Sequence, residues 1–350
     1  MADRQAVVAG ATGLVGRAIL AHLIDKGDWD VVALSRRAPD VAGRYQHIAV
    51  DLLDREATRT CLGGLRATTH IFFAAYAERD DPDALLADNL ALLVNLLDAI
   101  EPIATRLKHV HLVHGSKWYG CHLGPYRTPA KEDDPRHMPP NFYYDQQDHL
   151  AARRIGKRWH WTTSRPHGIC GLSLGSPMNL LMVIAVYGAI CRELGLPLDF
   201  PGTPGNYRAI YQCTDSRHLA RAIEYLATTP ACADQPFNVT NGDFVRWENL
   251  WPRFADYFGV PCGRVRPMRL EQVMADKGPH WQRMVARHGL RPIAWEELVR
   301  WRHGDFVFMP EFDVMSDTSR LRRHGFHELV DTEAMFLRLF DELRRERIIP

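Results

Sequence analysis

Short apolar runs recur along the first 166 residues, with amphipathic segments between them. Ala6 to Ala9 is the first run; Trp29 to Leu34, His47 to Val50, His70 to Ala75 and His109 to Val113 follow. Runs of this length, bounded by polar or glycine-containing turns, predict strands. Leu14, Val15, Ala18, Ile19 and Leu23 share one face at helical spacing, and helices are expected near 54–64 and 82–100. Such alternation of strand and helix predicts an α/β fold, a Rossmann-type doubly wound parallel sheet. TTSRP, ending at Pro166, adds a strand, and HGICG after it is expected to lead back to the ligand-binding end of the sheet.

Past Pro166 the pattern changes. The apolar run from Met178 to Cys191 is shorter than a membrane span and ends at Arg192 and Glu193, so a buried helix is expected. Asn206 to Gln212 is expected as a strand at a domain junction, and Phe237 to Val239 as a strand returning to the sheet. From Trp247 onward LWPRFADYFG, ELVRWRHGDF and the stretch from Glu333 to Arg345 have helical period. The expected division is residues 1–166 as a sheet domain, with core strands also from about 206–242. Residues 167–350 then form most of a smaller, mainly helical substrate domain, interleaved with the first. Trp281, Trp295 and Trp301 suit an apolar pocket or ordinary core packing equally well.

Chemistry enters with the glycines. Gly10, Gly13 and Gly16 stand between the first strand and its helix. In that context the first permits a tight turn, the second lets backbone approach a pyrophosphate, and the third lets helix and strand pack closely. Thr12, Leu14 and Val15 belong to the same phosphate-binding turn, whose helix N-terminus offers oriented amides. The second strand ends in Leu34-Ser35-Arg36-Arg37. An acidic residue there would accept from the ribose 2′-hydroxyl of NAD; Ser35, Arg36 and Arg37 suit a 2′-phosphate instead. NADPH is therefore the expected cofactor. Asp51 and Leu52 are expected at the adenine edge, and Ala75 and Tyr76, just past the fourth strand, complete this part of the cofactor site.

Charge and composition narrow the field. A net charge of +1 gives no electrostatic case for nucleic acid or an anionic membrane. Seven cysteines without a CxxC pair favour free thiols in a reducing compartment. The opening MADRQAVVAGATG lacks a charged-then-apolar signal pattern, so a cytoplasmic location is expected. His109 and His111 share one strand face while His114 points to the other, so no convergent metal site is expected. Glu132, Asp133 and Asp134, flanked by prolines, read as a solvated loop. Neither Ser164 nor Ser176 sits in a nucleophile elbow.

One stretch remains, KWYGCHLGPYRTPAKEDDPRHMPPNFYYDQQD, from Lys117 to Asp148. It follows a strand end, where open α/β sheets bind ligands. The N-terminal half resembles the extended short-chain dehydrogenase/reductases, whose site pairs a serine or threonine with a Tyr-x-x-x-Lys helix. Two departures stand out. His114-Gly115-Ser116-Lys117-Trp118-Tyr119-Gly120 puts Gly115 near the usual catalytic hydroxyl, and Gln147 and Asp148 follow Tyr143 and Tyr144 by four residues. The Gly-x-Lys-x-Tyr and Asn-Phe-Tyr-Tyr motifs resemble instead the progesterone 5β-reductase and iridoid synthase-like enone reductases. SRPHGICGLS, SPMNLLMVIAVYGAIC, FNVTNGDFVRWENLW and the closing RIIP extend the likeness over nearly the whole chain. The resemblance implies Tyr143 and Lys117 as catalytic residues, and Gly115, Ile169, Ser176 and Met178 as further cofactor neighbours. It implies 1,4-reduction of a small apolar enone or enal, with a homodimer as the superfamily expectation. By residue chemistry, Lys117 would make the Tyr143 phenol a better donor to an enolate oxygen. Carbonyl 1,2-reduction and a non-catalytic NADPH-binding sensor remain as the other readings.

Overall fold

The structure, a computed structural model, describes residues 3–350. Its centre is a parallel sheet of β1 (Gln5–Ala9), β2 (Asp30–Ser35), β3 (Gln46–Ala49), β4 (His70–Phe73), β5 (His109–Val113), β6 (His160–Arg165) and an edge strand, Gln235–Asn238. The order is edge strand, β6, β5, β4, β1, β2, β3. Connections run one way from β1 and the other way from β4, so the carboxyl ends of these neighbours open a crevice.

Side chains alternate across the pleat and bury both faces. Ala6, Val8 and Phe72 pack with Ile19, Leu23, Leu219 and Ile223, from helices α1 (Leu14–Lys26) and Ser216–Thr228. Val7, Ala9, Ile71 and Phe73 face the opposite layer, made of α2 (Arg55–Leu62), α3 (Pro82–Ile100) and α4 (Phe142–Arg154). Local chemistry starts these helices: the Asp54 and Asp81 side chains accept from the amides of Ala57 and Ala84.

A second apolar core lies beyond the sheet. It packs α5 (Leu180–Glu193) against the helices Trp247–Phe258 and Thr332–Arg345, through Leu181, Ile184, Phe254, Phe336 and Phe340. Trp281 and Trp301 are buried in it, and the partly buried Trp295 packs against both, with ring centroids 6.1 and 5.7 Å away, so the three belong to this core. Among the described residues no helix is long and apolar enough to cross a membrane.

Three expectations differ here. Asn206 to Gln212 is not one strand: Pro204–Arg208 is helical, begun by Thr203, whose hydroxyl accepts from the Asn206 amide at 3.1 Å. Only Ile210–Tyr211 forms a strand, and it pairs with Val245–Arg246 outside the main sheet. From 206–242, the edge strand alone joins that sheet. ELVRWRHGDF breaks into Trp295–Leu298 and Trp301–Val307, with extended backbone at Val299 and Arg300. The acidic loop is not uniformly solvated either. Glu132 is buried and accepts from the Asn238 amide at 2.9 Å.

Candidate active site

A cleft of about 490 Å³ occupies the crevice at the carboxyl ends of β1 and β4. Gly10, Thr12, Gly13, Leu14, Val15, Ser35, Arg36, Arg37, Asp51, Leu52, Ala75, Tyr76, Tyr143, Ile169, Ser176 and Met178 all line it. Gly10 has φ +78°, and a Cβ there would lie 2.6 Å from the Ala74 carbonyl oxygen, so the turn requires glycine. Gly13 caps α1 without a side chain, and no acidic residue occupies the first turn. Uncapped amides opening on a cleft fit an anionic phosphate. At the other end, Ser35 donates to the Arg37 carbonyl at 2.7 Å, which folds the loop and leaves both arginines exposed.

Gly16, Gly115 and Lys117 do not line this cleft. A Cβ on Gly16 would lie 2.2 Å from the Gly10 carbonyl oxygen, so its role is helix packing. Lys117 sits in a short 3-10 turn, Ser116–Tyr119, directly after β5. Its ammonium lies 5.6 Å from the Phe306 ring, on the helix Trp301–Val307. Burial lowers its pKa, partly offset by Cys121 and Glu78. The same burial, with Lys117 nearby, holds His303 to about 4 and therefore neutral.

Tyr143 stands in the first turn of α4, its ring 4.7 Å from that of His114 and 4.4 Å from that of Phe142. A Cβ on Gly115 would lie 3.3 Å from the Tyr143 hydroxyl, so the strand end and the phenol meet where the superfamily usually places a hydroxyl. Tyr144 points elsewhere. It is buried and donates to the Trp118 carbonyl at 2.5 Å. Gln147, at the position of the usual lysine, accepts from Arg165 at 3.3 Å. Arg165 is buried, stacks 3.7 Å above Trp118 and donates to the Tyr119 hydroxyl and the Glu132 carbonyl. The residue that departs from the superfamily pattern thus serves a structural network.

The expected tuning of the phenol differs from what the structure gives. Burial raises the pKa of Tyr143, and Tyr76 and Cys121 add to it; Lys117 is not among the groups acting on it. Tyr76 is itself pushed up to about 12 by burial. Both phenols are neutral donors at ordinary pH. In an enclosed site of low polarity the desolvation of a phenolate outweighs a cation that is not in contact with it.

Several cleft residues escape sequence reasoning: Glu78, Arg79, Phe142, Gln146 and Arg300 line it, and His303 and Phe306 stand beside Lys117. Phe142 lies inside the Asn-Phe-Tyr-Tyr motif and was within reach of it. Arg300, His303 and Phe306 come from a segment whose pattern signals only helix. The described residues contain no group of three His, Cys, Asp or Glu side chains that would hold a metal ion.

The fold recurs among known proteins. Among solved structures, a UDP-glucose 4-epimerase of Thermotoga maritima aligns with TM-score 0.70 at 14% identity, covering 97% of this chain and 99% of that one. A short-chain dehydrogenase/reductase superfamily protein from Agrobacterium tumefaciens with bound NAD aligns with TM-score 0.68 at 15% identity, covering 99% and 98%. At these identities the likeness shows the fold. By sequence, an (S)-8-oxocitronellyl enol synthase of Nepeta racemosa is 33% identical over 99% of this chain and 91% of its own length. A short chain dehydrogenase of Penicillium aethiopicum is 31% identical over 99% of both. Residues 49–350 match the family described as PRISE-like Rossmann-fold domain, and the chain belongs to that family.

Proposed function

We propose that the protein reduces the C=C bond of an α,β-unsaturated carbonyl, using NADPH. The observation that carries this reading is the neutral Tyr143 phenol, held at the cleft against Gly115 at the end of β5. NADPH, when bound, supplies the hydride that adds to the β-carbon. Negative charge then develops on the carbonyl oxygen, Tyr143 donates a hydrogen bond to it, and the α-carbon takes a proton from solvent water to complete the reduction. A well-placed donor of this kind lowers the barrier by roughly 3 kcal/mol. Lys117, on the turn after β5, is the second catalytic residue in this reading, its positive charge acting on the developing enolate at longer range because its side chain does not line the cleft.

Support for the cofactor comes from the cleft itself: the uncapped α1 amides face the pyrophosphate position, and Arg36 and Arg37 suit a 2′-phosphate. Residues 1–166 with the edge strand hold the cofactor in this reading, and most of 167–350 forms the wall over the nicotinamide. One named relative is by its name an 8-oxocitronellyl enol synthase, and formation of an enol is consistent with a small enone or enal as substrate here.

The decisive experiment offers NADPH deuterated at its transferable position to cyclic and linear enones and enals. Product NMR should find label at the β-carbon, and Tyr143→Phe should lower turnover at least about 100-fold. Label at the carbonyl carbon would make the protein a carbonyl reductase. Binding of NADPH without turnover across the panel would favour a sensor.

A further inference from the structure

The Asn-Phe-Tyr-Tyr motif opens with a residue whose side chain touches both halves of the site. Asn141 is 8% exposed and precedes α4 in extended conformation. Its Oδ1 accepts from the Tyr143 backbone amide at 3.0 Å, and its Nδ2 donates to the Lys117 backbone carbonyl at 2.9 Å. Its own carbonyl accepts from the Tyr144 amide at 2.9 Å. A single planar amide therefore fixes the 3-10 turn that carries Lys117 to the helix turn that carries Tyr143. His137 Nε2, 3.3 Å from the same Lys117 carbonyl, and the Gly120 amide, 3.2 Å from it, pin that oxygen further.

Helix capping alone does not call for asparagine here. Serine and aspartate cap as well as asparagine does, because capping needs only an oxygen acceptor. Neither supplies the second function. An aspartate oxygen would face the Lys117 carbonyl acceptor to acceptor, and a serine hydroxyl is too short to span from the α4 amide to that carbonyl. We propose that Asn141 is a positioning residue that sets the spacing between Lys117 and Tyr143, and that its amide nitrogen is required for this.

The inference rests on the reductase reading, so its test contains a control for that reading. Asn141→Ser, Asn141→Asp and Tyr143→Phe are compared with wild type, using NADPH with 2-cyclohexen-1-one and a linear enal. Thermal unfolding and NADPH affinity by fluorescence are measured alongside. Because both replacements keep the cap, melting temperatures should stay within about 3 °C of wild type. Misplacement of the donor should instead lower kcat roughly 10- to 100-fold, with a much smaller change in KM. In a Lys117→Met background, Asn141→Ser should add little further loss, since the bond it removes is the one to the Lys117 turn. Wild-type kcat in Asn141→Ser, or a loss that follows melting, would overturn the inference alone. A wild type inert toward both substrates would overturn the reductase reading, and this inference with it.

Discussion

A methyl group at position 115 would stand 3.3 Å from the Tyr143 hydroxyl and 3.4 Å from the Pro166 carbonyl oxygen. Gly115 itself has φ −175°, extended backbone open to any residue, so an alanine there brings no conformational strain. Its whole effect falls on the phenol, which must move by a few tenths of an ångström. Gly115→Ala should therefore keep the wild-type melting temperature while turning over an enone about tenfold more slowly. Gly115→Ser should do no better, although it restores a hydroxyl where the superfamily has one. Melting temperature and kcat, measured together, decide this; a Gly115→Ser variant faster than wild type would refute the crowding argument. Tyr144→Phe should show the reverse. It removes the donor to the buried Trp118 carbonyl, which costs about 1–3 kcal/mol of stability by urea unfolding, and leaves kcat within about twofold. Adjacent tyrosines with the same local sequence signal thus divide into a site residue and a strut, a distinction that depends on the turn that Asn141 begins.

At the scale of elements, the periodic parts of the chain were readable and the contextual parts were not. β1, β4, β5 and the helix Pro82–Ile100 follow from apolar period and capping residues, because the same local chemistry that writes the pattern also makes the element. Pro204–Arg208 was hidden: Tyr207, Ile210 and Tyr211 give 206–212 a strand-like content, while a Thr-Pro start and the contacts of Asn206 with the Val307 and Pro310 carbonyls make its first part a helix. Burial of Glu132 was hidden for the same reason, since its partners are up to 188 positions away, at Asn238 and Arg320. The glycine turn that lines the cleft was legible because glycine spacing is local, whereas Arg300 and Phe306 reach the site only through tertiary packing. Gln147 is the useful test of an element built differently from its superfamily. Gln147→Lys recreates the Tyr-x-x-x-Lys spacing, yet wherever the lysine points Arg165 is left one acceptor short. The expected result is a loss of about 1–3 kcal/mol of stability with no gain in turnover. Unchanged stability in urea unfolding would show that the Arg165 network does not depend on Gln147.

Six imidazoles are buried among the described residues: His70, His109, His111, His114, His167 and His218. Desolvation lowers every one, His70 and His167 to about 4 and His111 to about 3. In the unfolded chain each titrates near 6.5. Above that pH all are neutral in both states and contribute no pH dependence. Below it the unfolded chain takes up protons that the folded chain refuses, so stability must fall as pH drops from about 6.5 toward 4. Each fully titrated imidazole steepens the fall by about 1.4 kcal/mol per pH unit. Carboxylates lowered by partners, such as Glu101 beside Arg153 and Asp148 beside Arg136, lose their stabilising effect only as pH falls below their ordinary values of 4.5 and 3.8. The window between pH 6.5 and 5 is therefore dominated by the histidines, with Glu132, whose carboxyl pKa burial raises, working in the opposite sense. Urea unfolding at pH 7.5, 6.5, 5.5 and 5.0 should show a nearly flat stability in the first interval and a steep fall after it. The His167 ring makes no well-formed hydrogen bond, only a weaker approach to the Val314 backbone, so His167→Gln removes a titrating group without breaking a strong side-chain hydrogen bond. That variant should unfold with a slope shallower by about one proton at pH 5. An unchanged slope would mean that His167 already carries its proton in the folded state, and that burial there is less complete than the packing around Tyr211 implies.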